Sequence, residues 1–310
     1  MPQKRAVVAL GGNALLQAPL QKGTIEEQLA NVDTAALHLV KLFKDGYQIV
    51  LTHGNGPQVG NLLIQQDRAK DIVPELPLYI CVAETQGQIG AMFQEALSNK
   101  LHQAKLTTPV VTVITHVQVD PKDKAFKKPT KPVGPFYSYK DYFPRDWVFA
   151  KTSNGYRRVV ASPAPLVILE AAEIEKIAES AIVIACGGGG IPVVKEKAGM
   201  KGVDAVIDKD LASAKLAIAF KADLFLILTN VDYVSLNYQK PDQKSLRKVT
   251  IADLKKYQKQ GHFAEGSMGP KIEAAIEFLT KIPKANVIIT SSSLLEQALA
   301  GEAGTHITAK

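Results

Sequence analysis

At 310 residues, 46% hydrophobic and 22% charged, the chain has enough apolar material for a large core and the balance of an ordinary globular protein, which excludes disordered and collagen-like classes. No apolar run approaches the roughly 20 residues of a membrane span, and two cysteines, Cys81 and Cys186, exclude a disulfide framework. A net charge of +7 suits anionic small molecules, but the lysines are scattered and aromatics reach only 6%, so neither a nucleic-acid nor a membrane partner is expected.

Met1 to Arg5 leads straight into a strand pattern without a signal-peptide core, so a cytoplasmic location is expected. The first strand is predicted over Lys4 to Leu10. A helix from about Thr24 to Lys44 follows, with Thr24 and Glu27 spaced as a capping box. A strand at Tyr47 to Thr52 feeds a helix that opens after Pro57, a residue suited to a first helical turn. Another helix is predicted over Val82 to Ala104, then a strand at Pro109 to Thr115. Strands alternating with helical segments imply a parallel, layered α/β sheet.

Asp120 to Pro165 interrupts that rhythm with Pro121, Pro129, Pro132 and Pro135, followed by aromatics from Phe136 to Trp147. Prolines at this density exclude a long helix or a central strand, so the segment reads as a protruding lid. Beyond it, a helix near Leu169 to Ser180 and a strand at Ile182 to Cys186 are predicted, then a hairpin turning at Ala198-Gly199. A helix at about Asp208 to Phe220, a strand at Leu224 to Leu228, a helix at Met268 to Lys281 and a strand at Ala285 to Thr290 complete the pattern.

Three strands break into glycine turns: Gly11-Gly12-Asn13, His53-Gly54-Asn55-Gly56, and Gly187 through Gly190. Such turns expose backbone N–H groups where strands end and helices begin, which makes anion cradles. None is a Walker A loop or a dinucleotide fingerprint. His53 reads as structural rather than as a general base.

Two helices also begin with a lysine, Lys209 within Asp208-Lys209-Asp210 and Lys271 after Gly269-Pro270. A cation at the positive end of a helix dipole is disfavoured unless it serves an anion, and flanking carboxylates would orient it. Lys131, on a stiff proline-rich turn, could reach a transferring group from the lid.

Taken together, Ala9 to Ala14, Thr52 to Asn61, Lys128 to Phe136, Gly187 to Pro192, Val206 to Asp210 and Gly266 to Lys271 resemble the carbamate kinases, a branch of the amino-acid kinase fold family, across essentially the whole chain. The most discriminating stretch is Pro129-Thr130-Lys131-Pro132-Val133-Gly134-Pro135-Phe136. The sequence departs from the family pattern at Lys128, Ala161 and Asn230, and over Ser153 to Arg158.

The resemblance implies a three-layer αβα sandwich around an open, mainly parallel eight-stranded sheet, with a small protruding lid, in a homodimer. Residues 1–310 would form one domain: an N-terminal lobe over about 1–180, carrying the lid at about 118–165, and a C-terminal lobe over about 181–310. The implied reaction is reversible phosphoryl transfer between carbamoyl phosphate and ADP, giving ATP and carbamate, with Mg²⁺ carried by the nucleotide. Arginine or agmatine catabolism would be its setting. Gly11, Gly12, Asn13, Gly54 and Asn55 would surround the acyl phosphate. Lys131, Lys209 and Lys271 would neutralise the phosphoryl group, with Asp210 orienting lysines. Gly187, Gly188, Thr229, Asn230 and Met268 would lie towards the nucleotide. The alternative is another member of the fold family, acting on an acylated amino acid or a nucleotide monophosphate.

Overall fold

The computed structural model describes residues 3–12, 15–16, 21–138, 147–152, 155–264 and 266–310. The first elements are β1 (Lys4–Leu10), α1 (Ile25–Lys44), β2 (Tyr47–His53), α2 (Gly56–Ala69), α3 (Leu78–Gln103), β3 (Val110–Thr112) and β4 (His116–Val119). The lid region holds β5 (Lys131–Tyr137), β6 (Val148–Thr152) and β7 (Gly155–Val160), followed by β8 (Pro165–Ile168) and α4 (Ala171–Ala178). Next come β9 (Ile182–Ile184), β10 (Ile191–Glu196), β11 (Gly199–Gly202), α5 (Lys209–Ala219) and β12 (Leu224–Thr229). The chain closes with β13 (Val234–Leu236), β14 (Lys244–Leu246), β15 (Lys248–Thr250), α6 (Ile251–Lys259), α7 (Met268–Lys281), β16 (Asn286–Ser291), α8 (Leu295–Leu299) and β17 (Thr305–Thr308).

An eight-stranded sheet in the order β15-β17-β16-β12-β1-β2-β9-β3 forms the middle layer. Its pairings are parallel except where β17 meets β16. Alternation along β1 shows why helices cover both faces. Val7 and Ala9 join Phe225, Ile227, Val287 and the helices α5 and α7 on one side, while Ala6, Val8 and Leu10 join Leu226 and the helices α1 and α3 on the other. Each fully buried Val, Leu or Phe contributes about 1.5–3 kcal/mol against leaving it in water.

The helix starts follow local chemistry. Thr24 and Glu27 form the expected capping box of α1. α3 begins at Leu78 directly after Pro77, four residues ahead of the predicted start, because Cys81 and Val82 already face a small core with Val59, Val133 and Val206. The predicted strand at Pro109 to Thr115 shrinks to Val110–Thr112, since Gln86 takes both backbone groups of Thr115.

The lobe boundary expected at residue 181 does not divide the sheet there, because β9 is inserted between β2 and β3. The proline-rich segment is also more regular than an irregular lid. β5, β7 and β6 form a three-stranded antiparallel sheet. Pro132 and Pro135 are accommodated because β5 is an edge strand with a register shift between Val133 and Phe136. Tyr139, Tyr142 and Phe143 of the predicted aromatic cluster lie outside the described residues.

Candidate active site

The carboxyl ends of β12, β1 and β2 stand side by side, where open α/β sheets bind ligands. The Gly11 N–H donates to the Leu228 carbonyl at 2.8 Å, which ties the first glycine turn to the tip of β12. A cleft of about 780 Å³ opens above these tips. Gly11, Gly12, Gly54, Asn55, Thr229, Asn230 and Met268 all line it. Asn13 lies outside the described residues.

The lysines meet at the N-terminus of α5. Asp208 is the cap: its Oδ1 accepts from the Asp210 and Leu211 N–H groups at 2.9 and 3.4 Å. Its other oxygen, Oδ2, accepts from Lys131 Nζ at 2.6 Å, so the cap that starts α5 also holds the lid lysine. Asp210 bridges the other two lysines, accepting from Lys209 Nζ at 2.5 Å through Oδ1 and from Lys271 Nζ at 2.9 Å through Oδ2. Lys209 is further placed by Ser213, whose hydroxyl donates to the Lys209 carbonyl at 2.5 Å and lies 2.6 Å from Thr52 Oγ1 on β2. Its aliphatic stem crosses Gly54.

Asp210 is 3% exposed. Burial alone would raise its pKa, but the ammonium groups of Lys209 and Lys271 outweigh that and hold the carboxyl well below the usual carboxylate range. Burial pulls Lys209 below the ordinary lysine range, and Lys271 adds to this while Asp210 opposes it. Three lysines against two carboxylates leave this cluster one positive charge in excess, facing the cleft they line.

Two neighbouring helices lack a side-chain cap. Asn55, at the N-terminus of α2, uses its amide to donate to Thr85 Oγ1 at 2.9 Å. Ser267 at the start of α7 makes no capping bond either. Both helix ends, with their unpaired backbone donors and positive dipole, line the same cleft as the lysines.

The third glycine turn packs behind the second. Gly188 has φ +64°, and a side chain there would run into the Asn55 amide. Gly187 is buried against His53. The turn thus backs the second cradle, while Gly188 also lines the cleft. His53 is fully buried and stacks on Phe93, with its Nδ1 3.0 Å from the Gly54 carbonyl. Burial pushes its pKa down to about 4, so the neutral ring donates to Gly54 and braces the turn.

Sequence reasoning missed Asp208 as the partner of Lys131, because a helix cap is legible locally while its second contact lies 77 positions away. It also missed Arg157, which lines the cleft, donates to the Gly134 carbonyl at 2.7 Å and sits over the Phe136 ring. Tyr233, Ser235 and Asn237, beside the three-residue strand β13, line the cleft too; so short a strand carries no periodic signal.

The Amino acid kinase family profile matches residues 4–291. The chain is 48% identical to the carbamate kinase of Thermococcus kodakarensis, over 98% of this chain and 99% of that one. It is 49% identical to carbamate kinase 1 of Enterococcus faecium, with the same coverage. Among solved structures it is similar to the Giardia lamblia carbamate kinase bound to AMP-PNP, with TM-score 0.91, 43% identity and 99% of each chain covered. The Giardia lamblia enzyme bound to citric acid gives TM-score 0.94 at 42% identity, again over 99% of each chain. The chain belongs to the amino acid kinase family, and within it to the carbamate kinases.

Proposed function

We propose that the protein transfers a phosphoryl group reversibly between carbamoyl phosphate and ADP, giving ATP and carbamate. The observation that carries this reading is the Lys131, Lys209 and Lys271 constellation, held by Asp208 and Asp210 in the lining of the cleft. Carbamate is already an anionic oxygen nucleophile, so no base is needed to remove a proton. Catalysis then reduces to alignment and to neutralising charge on the phosphoryl oxygens. The Gly11-Gly12 and Gly54-Asn55 turns hold the acyl phosphate, with Asn13 assigned by resemblance. Thr229, Asn230 and Met268 hold the nucleotide. The lysines lie along the transfer path, and Asp210 keeps two of them at a fixed separation.

Mg²⁺ fits as an ion carried by the nucleotide phosphates, whose charge it would neutralise. Among the described residues no group of three or more His, Cys, Asp or Glu could hold a metal ion. Asp208 and Asp210 are both engaged by lysines. Mg²⁺ favours phosphate and water ligands over an all-protein cage.

The same reading includes a homodimer, a cytoplasmic setting, and a place after a reaction that forms carbamoyl phosphate, as in arginine or agmatine breakdown. Its support is similarity to the carbamate kinases.

A coupled assay of ATP release from carbamoyl phosphate and ADP tests the activity. Rapid release is expected. No release, with turnover instead of an acylated amino acid or a nucleotide monophosphate, would overturn the reading.

A further inference from the structure

Gln58 lines the cleft in the first turn of α2, is 5% exposed, and has an Oε1 with no hydrogen-bond partner among the described residues. Its orientation is fixed by a relay. The Gly23 carbonyl can only accept, and it takes a hydrogen bond from Gln28 Nε2 at 2.9 Å. Gln28 must therefore present Oε1 to Gln58, whose Nε2 donates to it at 2.7 Å. With its nitrogen committed, Gln58 is left with an unpaired buried acceptor in the wall of the cleft, which a donor bound there would satisfy. Such an orphan is costly, so a ligand that pairs with it is favoured over one that cannot.

We propose that Gln58 is a specificity-determining residue that accepts a hydrogen bond from the –NH₂ of the carbamoyl group. The inference rests on the carbamoyl phosphate reading above. A carbamoyl nitrogen has its lone pair delocalised into the carbonyl and acts as a donor only, so its recognition requires an acceptor. Gln58 shares the helical turn that follows the Gly54-Asn55 cradle, on the side of the cleft assigned to the acyl group. A methyl in place of –NH₂ would leave Oε1 unpaired, which discriminates against acetyl phosphate.

Steady-state ATP formation from carbamoyl phosphate and ADP, with acetyl phosphate as a competing ligand lacking the N–H, tests this in the wild type, Gln58→Met and Gln28→Met. Gln58→Met is expected to lower kcat/KM for carbamoyl phosphate by about tenfold or more. The KM for ADP and the inhibition constant of acetyl phosphate should hold within about twofold. Gln28→Met keeps the acceptor but frees it to turn, and should give an intermediate loss with the same pattern. Carbamoyl phosphate kinetics in Gln58→Met within about twofold of wild type would overturn the proposal, as would an equal weakening of acetyl phosphate. A wild-type enzyme that makes no ATP from carbamoyl phosphate would instead overturn the underlying reading.

Discussion

At the scale of single residues, the centre of the cleft is a problem in buried charge, solved by sharing carboxylates. An isolated ammonium out of water is costly, and Asp210 meets that cost for Lys209 and Lys271 at once. Lys209→Ala or Lys271→Ala should lower the phosphoryl-transfer rate by about 10²-fold or more, the scale of losing an electrostatic stabiliser. Near-normal turnover in either folded variant would remove that lysine from the mechanism. Asp208→Asn separates the two jobs of the cap. Asparagine caps a helix about as well as aspartate, so the melting temperature should stay close to wild type while loss of the Lys131 tether lowers turnover by roughly tenfold. A fall in stability with unchanged turnover would make Asp208 a cap and nothing more. These lysines were legible in sequence because a cation at the start of a helix contradicts the dipole. The pairing was not, because Lys131 and Asp208 are brought together only by the docking of β5.

Among the elements, the lid is set in place by a contact between two backbones. Gly60 on α2 abuts Gly134, and a methyl on Gly60 would overlap the Gly134 Cα. Gly134 has φ +71° at the register shift of β5, a conformation that glycine adopts without strain. Val133 and Val160 complete the seat against Val59 and Val82. Gly60→Ala should therefore push β5 outward and carry Lys131 off the transfer path. Turnover should drop by roughly 10- to 100-fold, as for a misplacement of about 1 Å near the chemistry. The dissociation constant for ADP, measured by calorimetry, should hardly change, because the proposed nucleotide contacts, Thr229, Asn230 and Met268, lie outside the lid strands; equal losses in both would show a general unfolding instead. Long, strongly patterned elements such as β1, α1 and α7 were readable almost to the residue. The edge strand β15 and its neighbour β17, of three and four residues, were not. Their hydrogen bonds come from partners distant in sequence, which no local period encodes. Prolines flagged the lid segment correctly as no central strand, but edge pairing still let it form a sheet.

Across the whole molecule, the site is built into the core rather than laid on its surface, and His53 shows the consequence. The residue ends β2 with its ring against Phe93 of α3, so the second glycine turn is braced by the packing of the helical layer on the sheet. That both faces of the sheet would be covered was legible from the continuous apolar runs of its central strands. His53 read as structural from the sequence, but that it would be sealed between the layers was not legible, since Phe93 is distant in the chain. The burial makes global stability depend on pH. In the unfolded chain His53 titrates near 6.5, whereas the folded protein holds it at about 4. Between those values the unfolded state binds a proton that the folded state refuses. Stability from this group is thus complete above about pH 6.5, falls as the pH drops towards 4, and levels off below that. A gap of this size is on the order of 3 kcal/mol. Carboxylates titrate in part of the same window, so the decisive measurement compares urea unfolding of the wild type with His53→Asn, which keeps a donor for Gly54 but cannot titrate. The stability advantage of the wild type at pH 7 should shrink by about that amount at pH 4. Parallel pH profiles would mean that His53 takes up its proton in the folded protein as readily as in the unfolded chain, and that the ring is not sealed from water.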